Sequence, residues 1–171
     1  MRFQGTILLC LIAATFVQAA PILLDEDSVS QTPGNAPWRI LEETLPTILR
    51  RHPDSVILFA GRAILKTQTI DEYIVAIRVA TEKCRTANIR PILVALPDFG
   101  DNPSEKAKAA AIRLKQLALE LHLEVIDLYS AQLRENLPPD FFFLHNSIRW
   151  NQFVPPARQW LAEQMLPQPA E

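Results

Sequence analysis

Glycine is scarce in this chain: four residues in 171, against fourteen prolines. No glycine-rich loop that could cradle a phosphate is present. Cysteine numbers two and histidine three, and neither recurs at a metal-ligand spacing. No block of like charge stands out either, since 17 basic residues face 19 acidic ones for a net charge of −2. Nothing in that balance favours a nucleic-acid or anionic-membrane surface. Internal repeats and low-complexity tracts are missing too. No cofactor, no metal and no nucleic-acid partner is therefore expected.

What is there is ordinary globular material, 49% hydrophobic and 21% charged, enough for one domain with a sizeable core. The N-terminus differs from the rest. Met1-Arg2 supplies positive charge, Ile7–Val17 is apolar, and Gln18-Ala19-Ala20 offers small residues for cleavage. This is the pattern of a secretory signal peptide over residues 1–20, too short to span a bilayer; the alternative is an uncleaved core helix. The mature domain is then 21–171, secreted or periplasmic, with no membrane attachment after cleavage. Cys84 would be its only cysteine, which excludes an internal disulfide.

The stretch that organises the chain is Ser55–Gly61, Ser-Val-Ile-Leu-Phe-Ala-Gly. An apolar run without alternation, closed by glycine, predicts a strand buried on both faces and ending in a sharp turn. Similar runs follow at Pro91–Leu96 and Glu124–Leu128, and Pro21–Leu24 reads as an earlier strand. Helix-length amphipathic segments separate them. One covers Trp38–Arg50; another follows the capping box Thr69-Ile70-Asp71-Glu72 and carries Cys84 on its apolar stripe. A third follows Asn102-Pro103-Ser104-Glu105, and Pro156–Met165 closes the chain. Alternating strands and helices predict a parallel sheet covered by helices, with ligands at the carboxyl ends of the strands.

Polar residues just past those ends are the candidates for chemistry. Ser28 follows the first strand, Gly61-Arg62 the second and Pro97-Asp98 the third, while His145 lies in the late loop Leu137–Phe153. A serine needs a nearby base to become a nucleophile, and histidine is the usual one because it titrates near neutrality. Plainer roles compete with each assignment. Ser28 could cap a loop, His145 could be an ordinary loop histidine, and Asp98 and Asp101 read as turn residues. Arg62 reads as a solvent-facing charge, or alternatively as a cation in place of an oxyanion donor. Asp127 reads as a loop-capping carboxylate and Cys84 as core.

From Glu26 the chain runs Glu-Asp-Ser-Val-Ser-x-x-x-Gly-Asn-x-x-Trp, which resembles the Gly-Asp-Ser-Leu motif of the SGNH/GDSL hydrolases. His52–Gly61 is similar to that family's strand leading into Gly-x-Asn-Asp. Ile92–Pro97, Leu117–Leu121 and Val125–Leu128 match its later elements in order, and the closing loop and helix match its Asp-x-x-His region. The resemblance spans nearly all of 21–171. It departs at Glu26, where the family has glycine, and at Ala63, where the family has the oxyanion-hole asparagine. The strand and glycine of the family's second motif have no counterpart. The last motif aligns either on His145, with Asp140 substituting from nearby, or on Ser147-Ile148-Arg149-Trp150-Asn151, which loses both Asp and His.

The resemblance implies a three-layer α/β/α sandwich with a short parallel sheet, SGNH-hydrolase-like within the flavodoxin-like group. It also implies a monomeric serine hydrolase acting on a small ester or an acetylated carbohydrate. Ser28, His145 and Asp140 would be its catalytic residues, and Gly61 and Arg62 would meet the oxyanion or substrate. With a donor missing, activity would be weak. Two alternatives stand beside it: an inactive SGNH-fold binding protein, and an unrelated flavodoxin-like binding domain.

Overall fold

A computed structural model describes residues 22–25, 45–100, 104–142 and 155–165. Within them four strands, β1 (Ile22–Asp25), β2 (Ser55–Phe59), β3 (Arg90–Ala95) and β4 (Glu124–Asp127), form one parallel sheet in the order β1-β2-β3-β4. The helices are α1, described over 45–49, α2 (Arg62–Thr67), α3 (Ile70–Thr86), α4 (Ser104–Leu121), α5 (Leu128–Arg134) and α6 (Pro155–Met165). A 3-10 turn spans Pro139–Phe141.

All five residues of β2 and the last five of β3 are buried. A strand can bury both faces only when helices cover both, so the unbroken apolar runs and the three-layer sandwich are one fact. Leu45 of α1, Tyr73 and Ile77 of α3, Leu114 and Leu117 of α4, and Leu161 of α6 share a single core with these strands. β1 pairs directly with β2, Asp25 standing opposite Phe59, and no described strand lies beyond it.

α3 and α4 lie side by side and run the same way. Asp71 meets Arg113 at 3.0 Å and Arg78 meets Glu120 at 2.8 Å, each pair 42 residues apart. Both ion pairs are exposed and stabilise by at most about 1 kcal/mol. The capping box forms as the sequence predicts. The Thr69 hydroxyl accepts from the Glu72 amide at 3.2 Å, and the Glu72 carboxylate accepts from the Thr69 amide at 2.8 Å.

Helix ends show how the chain manages with so little glycine. Asn88, His122 and Asn136 take left-handed backbone angles (φ 58°, 51° and 53°) just after α3, α4 and α5. Each donates to the carbonyl three residues back, and the next residue, Ile89, Leu123 or Leu137, donates five back. This is the Schellman helix stop with Asn or His where glycine usually stands. His122 thus occupies the left-handed position of the stop that ends α4.

Strand bounds shift slightly from the sequence expectation: β1 is Ile22–Asp25 rather than Pro21–Leu24, and β3 is Arg90–Ala95 rather than Pro91–Leu96. β4 stops at Asp127 rather than Leu128, because the Asp127 carboxylate accepts the Ser130 amide at 2.9 Å and starts α5 there. α2 begins immediately after Gly61, whose carbonyl accepts the Leu65 amide at 2.7 Å.

Candidate functional site

The carboxyl end of β2 turns at Gly61, with φ of 114°. A Cβ there would fall inside the ring of Tyr73, a fully buried residue of α3. Both the backbone angle and the contact require glycine. The turn sends Arg62 inward rather than out. Arg62 is only 5% exposed, and its guanidinium lies 5.0 Å from the centre of the Phe99 ring. The expectation of a solvent-facing charge is thus corrected: the tight turn tucks the first residue of α2 under the loop that follows β3. A delocalised guanidinium stacks on an aromatic face and tolerates such burial better than an ammonium would. Arg62, Leu65, Tyr73, Asp98, Phe99 and Ala110 are among the residues lining the recess at this strand end.

The loop after β3 is held at two points. The Asp98 carboxylate accepts the Gly100 amide at 2.8 Å, the turn role expected of it. The Gln132 side chain, 2% exposed, accepts the Asp98 amide at 2.7 Å and donates to the Asp98 carbonyl at 2.9 Å. Phe99 then meets Phe142 edge to face at 5.3 Å. Phe142 is fully buried and also packs against Phe141 (5.3 Å) and Trp160 (5.8 Å), tying the late loop and α6 to the same rim. The Trp160 indole nitrogen donates to Glu135 at 2.5 Å.

Among the other candidates, Asp140 lies exposed in the 3-10 turn. Asp127 caps α5 and pairs with Lys115 at 2.8 Å. Burial pushes its carboxyl up, but Lys115 and the bonds from Ser130 outweigh this and hold it below the ordinary value. Tyr129 is pushed up by burial and by the charges of Asp98 and Glu105. Cys84 is fully buried, and burial raises its thiol to about 11, as suits a core residue. Ser28, His145, Glu26, Asp101, Ser147 and Arg149 lie outside the described residues, as does the side chain of Ala63. Among the described residues no group of three or more His, Cys, Asp or Glu could hold a metal ion, and no helix is long and apolar enough to cross a membrane.

The rim thus brings together Gly61, Arg62 and Phe99, with Phe142 behind them. Neither Phe99, Phe142 nor Gln132 was a sequence candidate. The Phe141-Phe142-Phe143 run was a visible signal for one of them; nothing local marks Gln132, whose partner is 34 residues away.

No protein-family model matches this sequence, and no curated protein does. The architecture is nonetheless similar to solved structures. A GDSL-like lipase from Bacteroides thetaiotaomicron VPI-5482 aligns at TM-score 0.61 and 13% identity, over 74% of this chain and 67% of that one. An acetyl xylan esterase aligns at 0.59 and 18%, over 75% and 73%. An acylhydrolase from Bacteroides fragilis NCTC 9343 aligns at 0.50 and 22%, over 56% of this chain and 51% of that one. At 13–22% identity this likeness is one of fold: the chain shares the helix-covered parallel sheet of these GDSL-like structures.

Proposed function

We propose that this chain is a secreted serine hydrolase of small ester bonds, with a simple ester or an O-acetylated carbohydrate as substrate. One observation carries the reading: three pieces of chain leave from the same rim of the sheet. β1 ends at Asp25 beside Phe59, and Ser28 comes three residues later; β2 ends in Gly61-Arg62; and Phe142, seated on Phe99, comes three residues before His145. In this reading the Ser28 hydroxyl attacks the ester carbonyl and His145 takes its proton. The tetrahedral oxyanion meets the Gly61 amide and the Arg62 guanidinium, and His145 returns the proton to the leaving alcohol. Water then repeats the cycle on the acyl-enzyme. Asp140 orients His145. The nearby solved structures are named for lipase, acylhydrolase and acetyl xylan esterase activity, which supports the substrate class.

Ala63 stands where the resemblance expects an asparagine donor, and losing one such donor typically costs about a hundred- to a thousandfold in rate. That substitution also favours a second reading, an SGNH-fold protein that binds such ligands without cleaving them. A fluorophosphonate probe with intact mass measurement separates the two. The hydrolase takes up one adduct, slowly; Ser28→Ala takes up none, and His145→Ala reacts about a hundredfold or more slower. Absence of any adduct on folded wild-type protein rejects the hydrolase in favour of the binding protein.

A further inference from the structure

We infer that Gln132 is a positioning residue for the rim: through Phe99 it sets Arg62 and the seat of Phe142. The inference rests on the hydrolase reading only for its catalytic consequence; the positional part stands on geometry. The Gln132 carboxamide pairs with both the N–H and the C=O of Asp98, at 2.7 and 2.9 Å, as a neighbouring strand would. It is buried to 2% exposure in α5, a helix whose start is fixed by the Asp127 cap and whose Leu128 and Ala131 are in the core. The loop it grips carries Phe99 at the next position. One contact of that ring holds the Arg62 guanidinium at 5.0 Å and another seats Phe142 at 5.3 Å.

A packing residue would not need this chemistry. A leucine or methionine would fill the space, but it would leave a buried amide and carbonyl unpaired. Glutamine satisfies both and thereby fixes the loop in one register. Gln132 touches neither substrate nor reacting atoms, so its effect reaches the chemistry only by way of Asp98 and Phe99.

The test uses Gln132→Glu, Phe99→Leu and the double variant in the full mature chain. Gln132→Glu, read at a pH high enough to ionise its carboxyl, keeps the acceptor for the Asp98 amide and removes the donor to its carbonyl. Phe99→Leu removes the ring and leaves the pairing intact. The Arg62 Nε–H resonance, assigned by its loss in Arg62→Lys, reports the Phe99 ring current without any need for activity. Gln132→Glu is expected to move that resonance toward the Phe99→Leu position. It is also expected to slow fluorophosphonate labelling of folded protein about tenfold, with the double variant no slower than the worse single one. An unmoved Arg62 resonance, or effects on labelling that simply multiply, overturns the inference. Should wild type take up no probe, the hydrolase reading falls while the resonance still decides the positional claim. If Gln132→Glu does not fold, Gln132→Met read by the same resonance decides it.

Discussion

At residue scale the site turns on one glycine and one arginine. Gly61 combines a φ of 114° with a backbone that runs against the Tyr73 ring. Gly61→Ala would add the strain of an L side chain at positive φ, about 1–2 kcal/mol, and an overlap with a buried aromatic worth about 1–3 kcal/mol. We expect urea denaturation to show a loss of about 3 kcal/mol, and a loss under 1 kcal/mol would mean that Tyr73 moves aside freely. Arg62 makes the opposite point. Its charge is held against Phe99 in a nearly dry setting, where an electrostatic contact is worth more than at a surface. In the proposed hydrolase, a cation in such a place would suit charge that develops on a bound group.

At the scale of elements, the helix stops explain how the strands arrive at their register. Asn88 lies just before β3, and His122 just before β4, so each left-handed residue aims the chain at the sheet. Glycine adopts that angle without the penalty a side chain incurs. His122, exposed and past the end of α4, is the clearest case for replacement. His122→Gly is expected to raise stability by about 0.5–1 kcal/mol, seen as a rise of a few degrees in Tm. A fall would show that the imidazole makes a contact that outweighs its backbone strain. Thr69 and Asp127 do the complementary work at helix starts, each with a side-chain oxygen accepting an otherwise unpartnered amide.

At the scale of the whole molecule, one core joins the sheet to helices from both ends of the described chain. Cys84, fully buried with its thiol raised to about 11, reports on that unity. Because only thiolate reacts, alkylation at pH 8 should be at least about a hundredfold slower in the folded protein than in urea. Peptide mass mapping of Cys84 after timed iodoacetamide treatment checks this. Fast labelling of the native protein would mean that α3 opens locally, without global unfolding. The chain also spans only 51–73% of the solved structures it resembles, with β1 as the first strand of the described sheet.

Much of this architecture was legible in the residues themselves. Short apolar runs closed by turn residues read as strands covered on both faces, the Thr69–Glu72 pattern satisfies helix amides through neighbours in sequence, and strand–helix alternation points to a parallel sheet. Asp98 as a turn residue, Asp127 as a cap and Cys84 as core follow from equally local chemistry. The burial of Arg62, the two-point grip of Gln132 on Asp98 and the role of Phe142 as a seat for the late loop were decided only by tertiary structure. Each joins residues that the fold brings together across loops and helices. A side chain's surroundings depend on where the chain returns to, and no local pattern of residues encodes that.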